Sequence, residues 1–347
     1  PDIYLVLLDK YTGTRSLGAL YNYDNRPFEA RLQRLGFTVG REAAPNYPHT
    51  WLALPSLLNW RHADSLLAGQ PQGEWMRTLH VRVEDNRTAR YLKARGYEYV
   101  FVPSSFPFTQ SSALADRTVR GGRRGGMDVW SAWVAETPLG AAPAAGPAAE
   151  GRFPYPIETG AEVEARLDAI AALAGERRGR PRFVFAHMLV PHEPYVWHAD
   201  CSPREPFWPA SDYGEQRELI QRAYLEQITC LNVKLEEMVT EILERSSVPP
   251  VILLQSDHGH GFMALNPMTG EQLPRDQLQP RQVRERMDGF GAYHLPGGGA
   301  AALYDSITAV NLVPAVLNHY LKAGLPLQLD QVFWSTLHPP FNLERLR

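Results

Sequence analysis

Side chains that could bind a metal ion occur in three segments that lie far apart in the chain. The apolar run "DIYLVLLD" ends at Asp9, and the run "VILLQS" is followed directly by Asp257 and His258. A third segment, "FVFAHMLVPHEPY", contributes His187 and His192. Carboxylate oxygens and imidazole nitrogens are ordinary ligands of Zn²⁺ and Mn²⁺, and buried charge is costly unless it is paired or metal-bound. We therefore predict a metal site, although each residue alone has a structural explanation, such as a turn-capping aspartate.

A candidate nucleophile lies in the segment "NYPHTWLALPSLLN". Pro48 precedes a short apolar helix, and Thr50 falls in the first turn of that helix. The free N–H groups at a helix N-terminus can hold an anion, and metal coordination lowers the pKa of a hydroxyl. Thr50 could therefore act as an alkoxide, whereas the alternative is that it only caps the helix.

Strands alternate with helices along the chain, and these elements must position the candidate groups. Strand-like apolar runs are predicted at residues 2–9, 183–189 and 251–256, and a long amphipathic helix at about 215–245. This alternation predicts an α/β fold in which a mainly parallel sheet is sandwiched between helices on both faces. Ligands of such sheets bind beyond the carboxyl ends of the strands, where the candidate residues lie.

Length and composition bound the class of protein. A chain of 347 residues can form one large α/β domain or two ordinary ones. We predict a single domain over residues 1–347, with a flexible low-complexity insertion near residues 139–151. The formal net charge of -3 argues against a nucleic-acid partner. No apolar run approaches the ~18 residues of a membrane span, and the chain opens on a strand with Pro1 rather than Met. We therefore expect a fragment of a longer chain, whose missing part could hold an N-terminal membrane anchor.

The two cysteines, Cys201 and Cys230, allow two interpretations. They could be unpaired core thiols, or they could form one disulfide that ties the proline-rich loop after His192 to the following helix. The disulfide, which we favour, would indicate an oxidising compartment.

Seven short segments occur along the chain in this order: "PDIYLVLLDKY", "YNYDNRPFEARLQRLGF", "NYPHTWLALPSLLN", "FAHMLVPHEPY", "LLQSDHGHG", "AYHLPGG" and "LYDSITAVNLVPAVLNHYL". Together they resemble the sulfatase-like branch of the alkaline phosphatase superfamily, the branch close to lipoteichoic acid synthases and phosphoethanolamine transferases. The similarity runs from the first strand to about residue 335 and is weakest at about 103–180 and 262–288. It implies an alkaline-phosphatase-like α/β fold with a mixed, mainly parallel sheet.

The resemblance also implies the ligands of a metal site. Asp9, Thr50, Asp257 and His258 match the residues that bind one divalent metal ion in the family. Zn²⁺ or Mn²⁺ is expected, with Mg²⁺ or Ca²⁺ as alternatives. We expect one metal ion rather than two, because no further aspartate matches the pattern of the two-metal members.

Catalytic and substrate-binding roles follow from the same resemblance. Thr50 matches the nucleophile that is transiently esterified, and His192 matches the histidine that contacts the transferred group or the leaving oxygen. His187 is expected as a neighbouring catalytic residue. Substrate contacts are expected from Lys10, His192 and His294. Lys10 stands where the family usually has glycine, so it could hold an anionic substrate or could weaken the metal site.

Three further histidines lie outside these assignments. His49 could contact a substrate or lie at the surface, and His260 could support the ligands or face solvent. His319 lies within a helical pattern, so we expect a structural role for it.

The family's chemistry indicates an ester substrate. Because no "C-x-P-S-R" surrounds Thr50, the formylglycine nucleophile of sulfatases is absent, which favours phosphate esters. We expect a metal-dependent phosphotransferase, phosphodiesterase or phosphatase that acts on an anionic lipid or glycan headgroup through a phospho-threonine intermediate. A sulfate-ester hydrolase and a catalytically degenerate structural or binding subunit are the alternatives. The expected location is the extracytoplasmic face of the cell membrane or the cell envelope.

Overall fold

The computed structural model of the protein describes residues 1–40, 43–121, 158–207, 216–266, 272–336 and 341–347. These residues form a seven-stranded central sheet and two peripheral two-stranded sheets. Helices pack against both faces of the central sheet. The insertion predicted near residues 139–151 lies outside the described residues.

The strands of the central sheet follow the predicted apolar runs. They are β1 (Ile3–Leu8), β2 (Phe37–Val39), β3 (Glu98–Val102), β4 (Arg117–Thr118), β5 (Arg182–Met188), β8 (Val251–Ser256) and β9 (Gly291–His294). Two further pairs lie at the periphery: β6 (Tyr195–Trp197) with β7 (Pro203–Phe207), and β10 (Phe333–Trp334) with β11 (Glu344–Arg345). The structure thus confirms the strands predicted at residues 2–9, 183–189 and 251–256.

The helices also follow the sequence pattern. They are α1 (Thr14–Tyr21), α2 (Arg26–Arg34), α3 (Thr50–Asn59), α4 (Ala63–Leu67), α5 (Trp75–Glu84), α6 (Arg87–Lys93), α7 (Gly160–Ala172), α8 (Arg217–Arg245), α9 (Pro280–Met287) and α10 (Ala309–Leu321). Short 3-10 turns occur at Gln72–Glu74, Pro107–Thr109, Leu173–Gly175, Phe262–Ala264, Arg275–Gln277 and Gly299–Ala302. Helix α8 matches the predicted long amphipathic helix. Among the described residues, no helix combines the length and the hydropathy that crossing a membrane requires.

The central sheet is mixed but mainly parallel, as predicted. Its strand order is β2-β9-β8-β1-β5-β3-β4. Strand β1 pairs in parallel with β5 on one side and with β8 on the other. Strand β9 runs antiparallel to both of its neighbours, β8 and β2. The carboxyl ends of β1, β5 and β8 therefore meet at one edge of the sheet, where a parallel sheet binds its ligands.

Each face of the sheet has its own hydrophobic core, because successive side chains of a strand point to opposite faces. The side chains of β1 divide between the two cores, with Tyr4, Val6 and Leu8 on one face and Ile3, Leu5 and Leu7 on the other. Helices α2, α7 and α8 pack on the first face, and helices α3, α5 and α10 pack on the second. The predicted arrangement of helices on both faces is therefore confirmed.

A disulfide joins the proline-rich loop to the long helix. Cys201, which follows β6, is bonded to Cys230 of α8, and their Cα atoms are 5.0 Å apart. This confirms the favoured interpretation of the two cysteines. The bond fastens the segment that follows His192 to a helix of the first core.

Candidate metal centre and active site

The centre of the site is built where three neighbouring strands end. Leu8 of β1 pairs with Ser256 of β8, so the next residues, Asp9 and Asp257, leave the sheet side by side. His187 lies near the end of β5, on the other side of β1. One ligand atom of each of Asp9, His187 and Asp257 lies within 4.8 Å of the others, and all three residues are buried. The parallel order of the strands thus brings two carboxylates and an imidazole together.

Thr50 brings its hydroxyl to the same place from the start of α3. The helix begins at Thr50, and its N-cap is His49, which is extended and makes no side-chain cap bond. The Oγ1 atom of Thr50 donates to Oδ2 of Asp257 at 2.8 Å and lies 3.2 Å from Nε2 of His258. The alternative in which Thr50 only caps the helix is therefore wrong, because its hydroxyl faces the buried cluster.

His258 presents one ring nitrogen to the cluster. Its Nδ1 lies 2.9 Å from the carbonyl oxygen of Gly259. Since a carbonyl oxygen only accepts, Nδ1 carries the proton and Nε2 keeps its lone pair. Nε2 lies 3.2 Å from Oδ2 of Asp257 and 4.0 Å from Oδ1 of Asp9. Burial and the charge of Arg286 lower the pKa of His258 well below its usual value, so the ring is in the neutral form that binds metals.

Two buried atoms of the cluster lack a hydrogen-bond partner among the described residues, namely Oδ1 of Asp9 and Nε2 of His187. His187 Nδ1 lies 3.1 Å from Oγ1 of Thr109, and its Nε2 lies 3.6 Å from Oδ2 of Asp9. Unpartnered buried polar atoms are rare because each one costs free energy. A divalent cation would satisfy both atoms, so the residues fit the predicted metal. His187, expected as a catalytic neighbour, is placed as a candidate ligand beside Asp257.

The pKa values of the two carboxyl groups, Asp9 and Asp257, are shifted in opposite directions. Burial and the negative charge of Asp9 raise the pKa of Asp257 to about 7. Burial would also raise the pKa of Asp9, but the neighbouring imidazoles of His192 and His187 outweigh it and lower that pKa. Two carboxylates in such proximity cannot both ionise easily without a cation. A divalent ion between them would stabilise both ionised forms.

The ammonium group of Lys10 pairs with Glu193 rather than with this cluster, although Lys10 stands where the resembled family usually has glycine. Its φ of 63° lies in the left-handed region that favours glycine. The backbone N–H donates to Oδ1 of Asp257 at 3.2 Å, and Nζ lies 2.9 Å from Oε1 of Glu193. Burial would raise the pKa of Glu193, but the charge of Lys10 outweighs it and holds that pKa well below its usual range. The ammonium group is therefore paired with Glu193, and the substrate contact of Lys10 stays a prediction.

His192 lies on the loop that crosses the centre. Its backbone N–H donates to the carbonyl oxygen of Asp9 at 3.0 Å, and its side chain is 18% exposed. Burial and the charge of Lys10 lower its pKa, so the imidazole is neutral at neutral pH. The ring interacts electrostatically with the carboxylate of Asp9, whose pKa it lowers.

His294 lies away from the site, contrary to the predicted substrate contact. Strand β9 runs antiparallel to β8, and His294 pairs with Ile252 near the start of β8. Its Nδ1 lies 2.7 Å from the carbonyl oxygen of Pro250. The ring is therefore at the edge of the sheet opposite to Asp257. The prediction was wrong because the sequence pattern does not specify the direction of β9.

Both histidines that had open roles near the site are buried. His49 Nε2 lies 3.2 Å from the carbonyl oxygen of Ser335. The two ring nitrogens of His260 lie 3.0 and 3.1 Å from the hydroxyls of Tyr21 and Tyr195. His49 is thus not a surface residue. His260 is held between two tyrosine hydroxyls rather than facing solvent.

Four residues that bear on the site were not singled out from the sequence: Thr109, Glu193, Glu285 and Arg286. Glu193 adjoins His192 in "VPHEPY", so its position beside a candidate residue was a usable signal. Thr109, Glu285 and Arg286 lie in segments where the family resemblance is weakest. No local pattern in those segments indicates that they contact the site.

Neither a family model nor a curated protein matches the chain. Solved structures share its fold. The C-terminal periplasmic domain of EptC from Escherichia coli, in complex with Zn, is 11% identical over 90% of this chain and 80% of its own, with a TM-score of 0.57. Phosphonate monoester hydrolase of Agrobacterium radiobacter is 14% identical over 97% and 80%, with a TM-score of 0.58. BT1596, a 2-O GAG sulfatase, is 12% identical over 98% and 78%, with a TM-score of 0.57.

At 11–14% identity, this similarity is one of fold. It covers at least 90% of the chain. The resemblance predicted from the seven sequence segments is thereby confirmed at the level of architecture. The chain has the mixed α/β fold that phosphoethanolamine transferases, sulfatases and phosphonate monoester hydrolases of the alkaline phosphatase superfamily share.

Proposed function

We propose that the chain is a metal-dependent enzyme that cleaves or transfers phosphate esters, with Thr50 as its nucleophile. One observation carries this proposal: the hydroxyl of Thr50 contacts both Asp257 and His258 in a buried cluster that fits a divalent cation. Such convergence of an alcohol, carboxylates and imidazoles has no evident structural purpose. Zn²⁺ or Mn²⁺ suits the mixed oxygen and nitrogen donors.

The ligands of the ion would be Asp9, Asp257, His258 and Thr50, with His187 as a further donor. When bound, the ion would supply positive charge that favours the alkoxide form of a hydroxyl and polarises the ester. Burial of the cluster limits the access of water to the nucleophile and strengthens electrostatic interactions there.

Each of three residues, Thr50, Asp257 and His192, would have its own role in the reaction. The Thr50 hydroxyl already donates to Asp257, which is in place to receive its proton. The freed oxygen attacks phosphorus, a bond forms between Thr50 and the phosphoryl group, and the bond to the leaving alcohol breaks. From the family resemblance we assign the contact with the leaving oxygen to His192, and the leaving alkoxide takes up a proton from solvent. Water or an acceptor hydroxyl would release the phosphoryl group from Thr50 in a second step.

Three considerations support a phosphate ester as substrate, an extracytoplasmic location and a lipid or glycan headgroup. A threonine cannot form the aldehyde hydrate of formylglycine-dependent sulfatases, which favours phosphate over sulfate. The Cys201–Cys230 disulfide agrees with an extracytoplasmic location, because disulfides persist in oxidising compartments. The resemblance to lipoteichoic acid synthases and phosphoethanolamine transferases supports an anionic lipid or glycan headgroup as the substrate. It also supports attachment to a membrane.

A catalytically degenerate subunit is the alternative that a metal site weakened by Lys10 would favour. The ammonium group of Lys10 pairs with Glu193, so its charge does not oppose a metal ion held by the four candidate ligands. These ligands are Asp9, Thr50, Asp257 and His258. The degenerate alternative therefore loses its support from the sequence.

The experiment compares p-nitrophenyl phosphate, bis-p-nitrophenyl phosphate and p-nitrophenyl sulfate as substrates of the Zn²⁺- or Mn²⁺-loaded protein. We expect phosphate esters to be cleaved in preference to the sulfate, and Thr50→Ala to lower kcat at least about 1000-fold. Ser56→Ala, which removes a hydroxyl from the same helix, is the matched control and should retain activity. Preference for the sulfate, or full activity in Thr50→Ala, would refute the proposal.

A further inference from the structure

Arg286, near the end of α9, joins the two segments that carry the candidate active-site residues. Its Nε donates to the carbonyl oxygen of Pro48 at 2.5 Å, and its Nη1 donates to the carbonyl oxygen of His260 at 2.7 Å. Its Nη2 lies 3.3 Å from Nδ1 of His49, the residue before Thr50. The guanidinium group therefore lies between the start of the nucleophile helix and the loop after β8.

The charge of Arg286 has no carboxylate partner among the described residues. All three of its acceptors are neutral, because His49 donates through Nε2 to the carbonyl of Ser335 and so accepts through Nδ1. Burial lowers the pKa of the guanidinium, against the attraction of Asp257 and Asp9. Burying a cation without a paired anion costs free energy. Such a cation is therefore unusual unless a ligand supplies the anion.

The side chain is nevertheless partly exposed, so a ligand can reach it. A guanidinium group has five N–H donors, and the three contacts with Pro48, His260 and His49 leave two for a further acceptor. Its planar fork matches two oxygens of a phosphoryl group. The geometry thus leaves donors and charge available in the same group.

The loop after β8 is shaped around this side chain. Gly261 adopts a φ of +70°, and a Cβ built on it would lie 2.2 Å from Cδ and 2.7 Å from Nη1 of Arg286. Only glycine can therefore occupy this position without displacing Arg286. The loop that carries Asp257 and His258 is in this way adapted to the arginine.

We propose that Arg286 is an anion-binding residue of the site, which holds a non-bridging oxygen of the phosphoryl group presented to Thr50. The choice of a phosphoryl ligand rests on the proposed function. Of the two cations that the described residues place near the centre, Lys10 is already paired with Glu193, whereas Arg286 is not. Arg286 is consequently the side chain whose charge is available to an anionic group.

The test uses Arg286→Gln, which retains an amide donor but removes the charge, and Arg286→Lys, which retains the charge but loses the fork. Binding of inorganic phosphate to the metal-loaded protein is measured by titration calorimetry, together with metal content and Tm. We expect Arg286→Gln to weaken phosphate binding at least about tenfold and Arg286→Lys to weaken it less. Metal content should be unchanged, and Tm should fall by no more than about 5 °C, because the hydrogen bonds to Pro48 and His260 are lost while a buried charge is removed. Arg284→Gln, on the exposed side of α9, is the matched control and should bind phosphate normally.

Unchanged phosphate binding in Arg286→Gln overturns the inference, and so does a wild type that binds no phosphate. Weaker binding that comes with lost metal or a large fall in Tm assigns Arg286 to the scaffold and also overturns it. The calorimetry does not depend on turnover. A wild type that binds phosphate through Arg286 but cleaves no ester would refute the proposed function alone, whereas ester cleavage at Thr50 with unimpaired Arg286→Gln would refute only this inference.

Discussion

The hydroxyl oxygen of Thr50 lies 2.8 Å from Oδ2 of Asp257, a residue 207 positions later in the chain. The contact arises because α3 begins at Thr50 directly above the edge of the sheet where β8 ends. The candidate nucleophile is therefore already in contact with two candidate metal ligands, Asp257 and His258. No rearrangement of the backbone is needed to assemble the site, which is the preorganisation that catalysis by positioning requires.

His187 is expected to contribute to metal binding, because its unpartnered Nε2 lies 3.6 Å from Oδ2 of Asp9. His187→Ala should lower metal affinity at least about tenfold. Thr109→Val removes the hydroxyl that orients the ring, and it should lower the affinity by a smaller factor. Competition with a chelator measures both effects. His294→Ala is the control, and equal metal affinity in His187→Ala and His294→Ala would assign His187 to catalysis alone.

The pair formed by Lys10 and Glu193 should contribute to stability rather than to substrate affinity. Their side chains are 14% and 10% exposed, so removing one partner leaves a buried charge that costs about 3 kcal/mol or more. Lys10→Gly should therefore lower the free energy of unfolding, even though glycine relieves about 1 kcal/mol of backbone strain at φ 63°. The double variant Lys10→Gly/Glu193→Gln should recover most of the loss.

Chemical denaturation of the four proteins in this cycle measures the coupling free energy, which we expect to exceed about 1 kcal/mol. The KM of the double variant for p-nitrophenyl phosphate should stay within about threefold of wild type. Loss of an ionic contact with the substrate would raise KM by a larger factor. A tenfold increase in KM would instead support the predicted substrate contact of Lys10.

Much of the fold could be predicted because its signals are local. The strand at residues 251–256 and the long helix from about 215 to 245 are marked by apolar runs and helical spacing, and both are present. The convergence of Asp9 with Asp257 could also be anticipated, because parallel strands end at one edge of a sheet. Each of these inferences needs only the type and the spacing of neighbouring residues.

The remaining features depend on packing between distant segments. The direction of β9 decides on which edge His294 lies, and no turn signal in the sequence reveals it. The partner of Lys10 is 183 residues away, and Arg286 reaches Pro48 across 238 residues. Such contacts depend on how loops are folded over the sheet. A pattern of single residues does not encode them.

The disulfide between Cys201 and Cys230 should contribute substantially to stability, because it closes a loop with a sequence separation of 29. The chain-entropy model gives about 3 to 4 kcal/mol for a loop of this length. Replacing both cysteines with alanine should therefore lower the free energy of unfolding by roughly 3 kcal/mol, as measured in guanidinium chloride. Dithiothreitol should have no effect on this variant but should destabilise the wild type. Equal stability of the two proteins under oxidising conditions would contradict the prediction.

Glu285 should make stability depend on pH. It is fully buried, accepts a hydrogen bond from the hydroxyl of Tyr21, and accepts another from the backbone N–H of Met263 at 3.0 Å. Burial raises the pKa of Glu285 from 4.5 to about 7. Between these values the folded state holds a proton that the unfolded state has lost. Stability therefore falls as pH rises through this window, and the loss is complete above pH 7, at most roughly 3 kcal/mol.

Glu285→Gln removes this dependence, because its amide can donate to the oxygen of Tyr21 while its carbonyl accepts from Met263. The variant should have a higher Tm than the wild type at pH 8, and the difference should shrink to about a quarter of that value at pH 5. Differential scanning fluorimetry from pH 5 to pH 8.5 measures both curves. Glu218→Gln, an exposed carboxylate on α8, is the control and should follow the wild type at every pH. A Glu285→Gln protein that is less stable than the wild type at pH 8 would show that the ionised carboxylate is needed by Tyr21 and Met263.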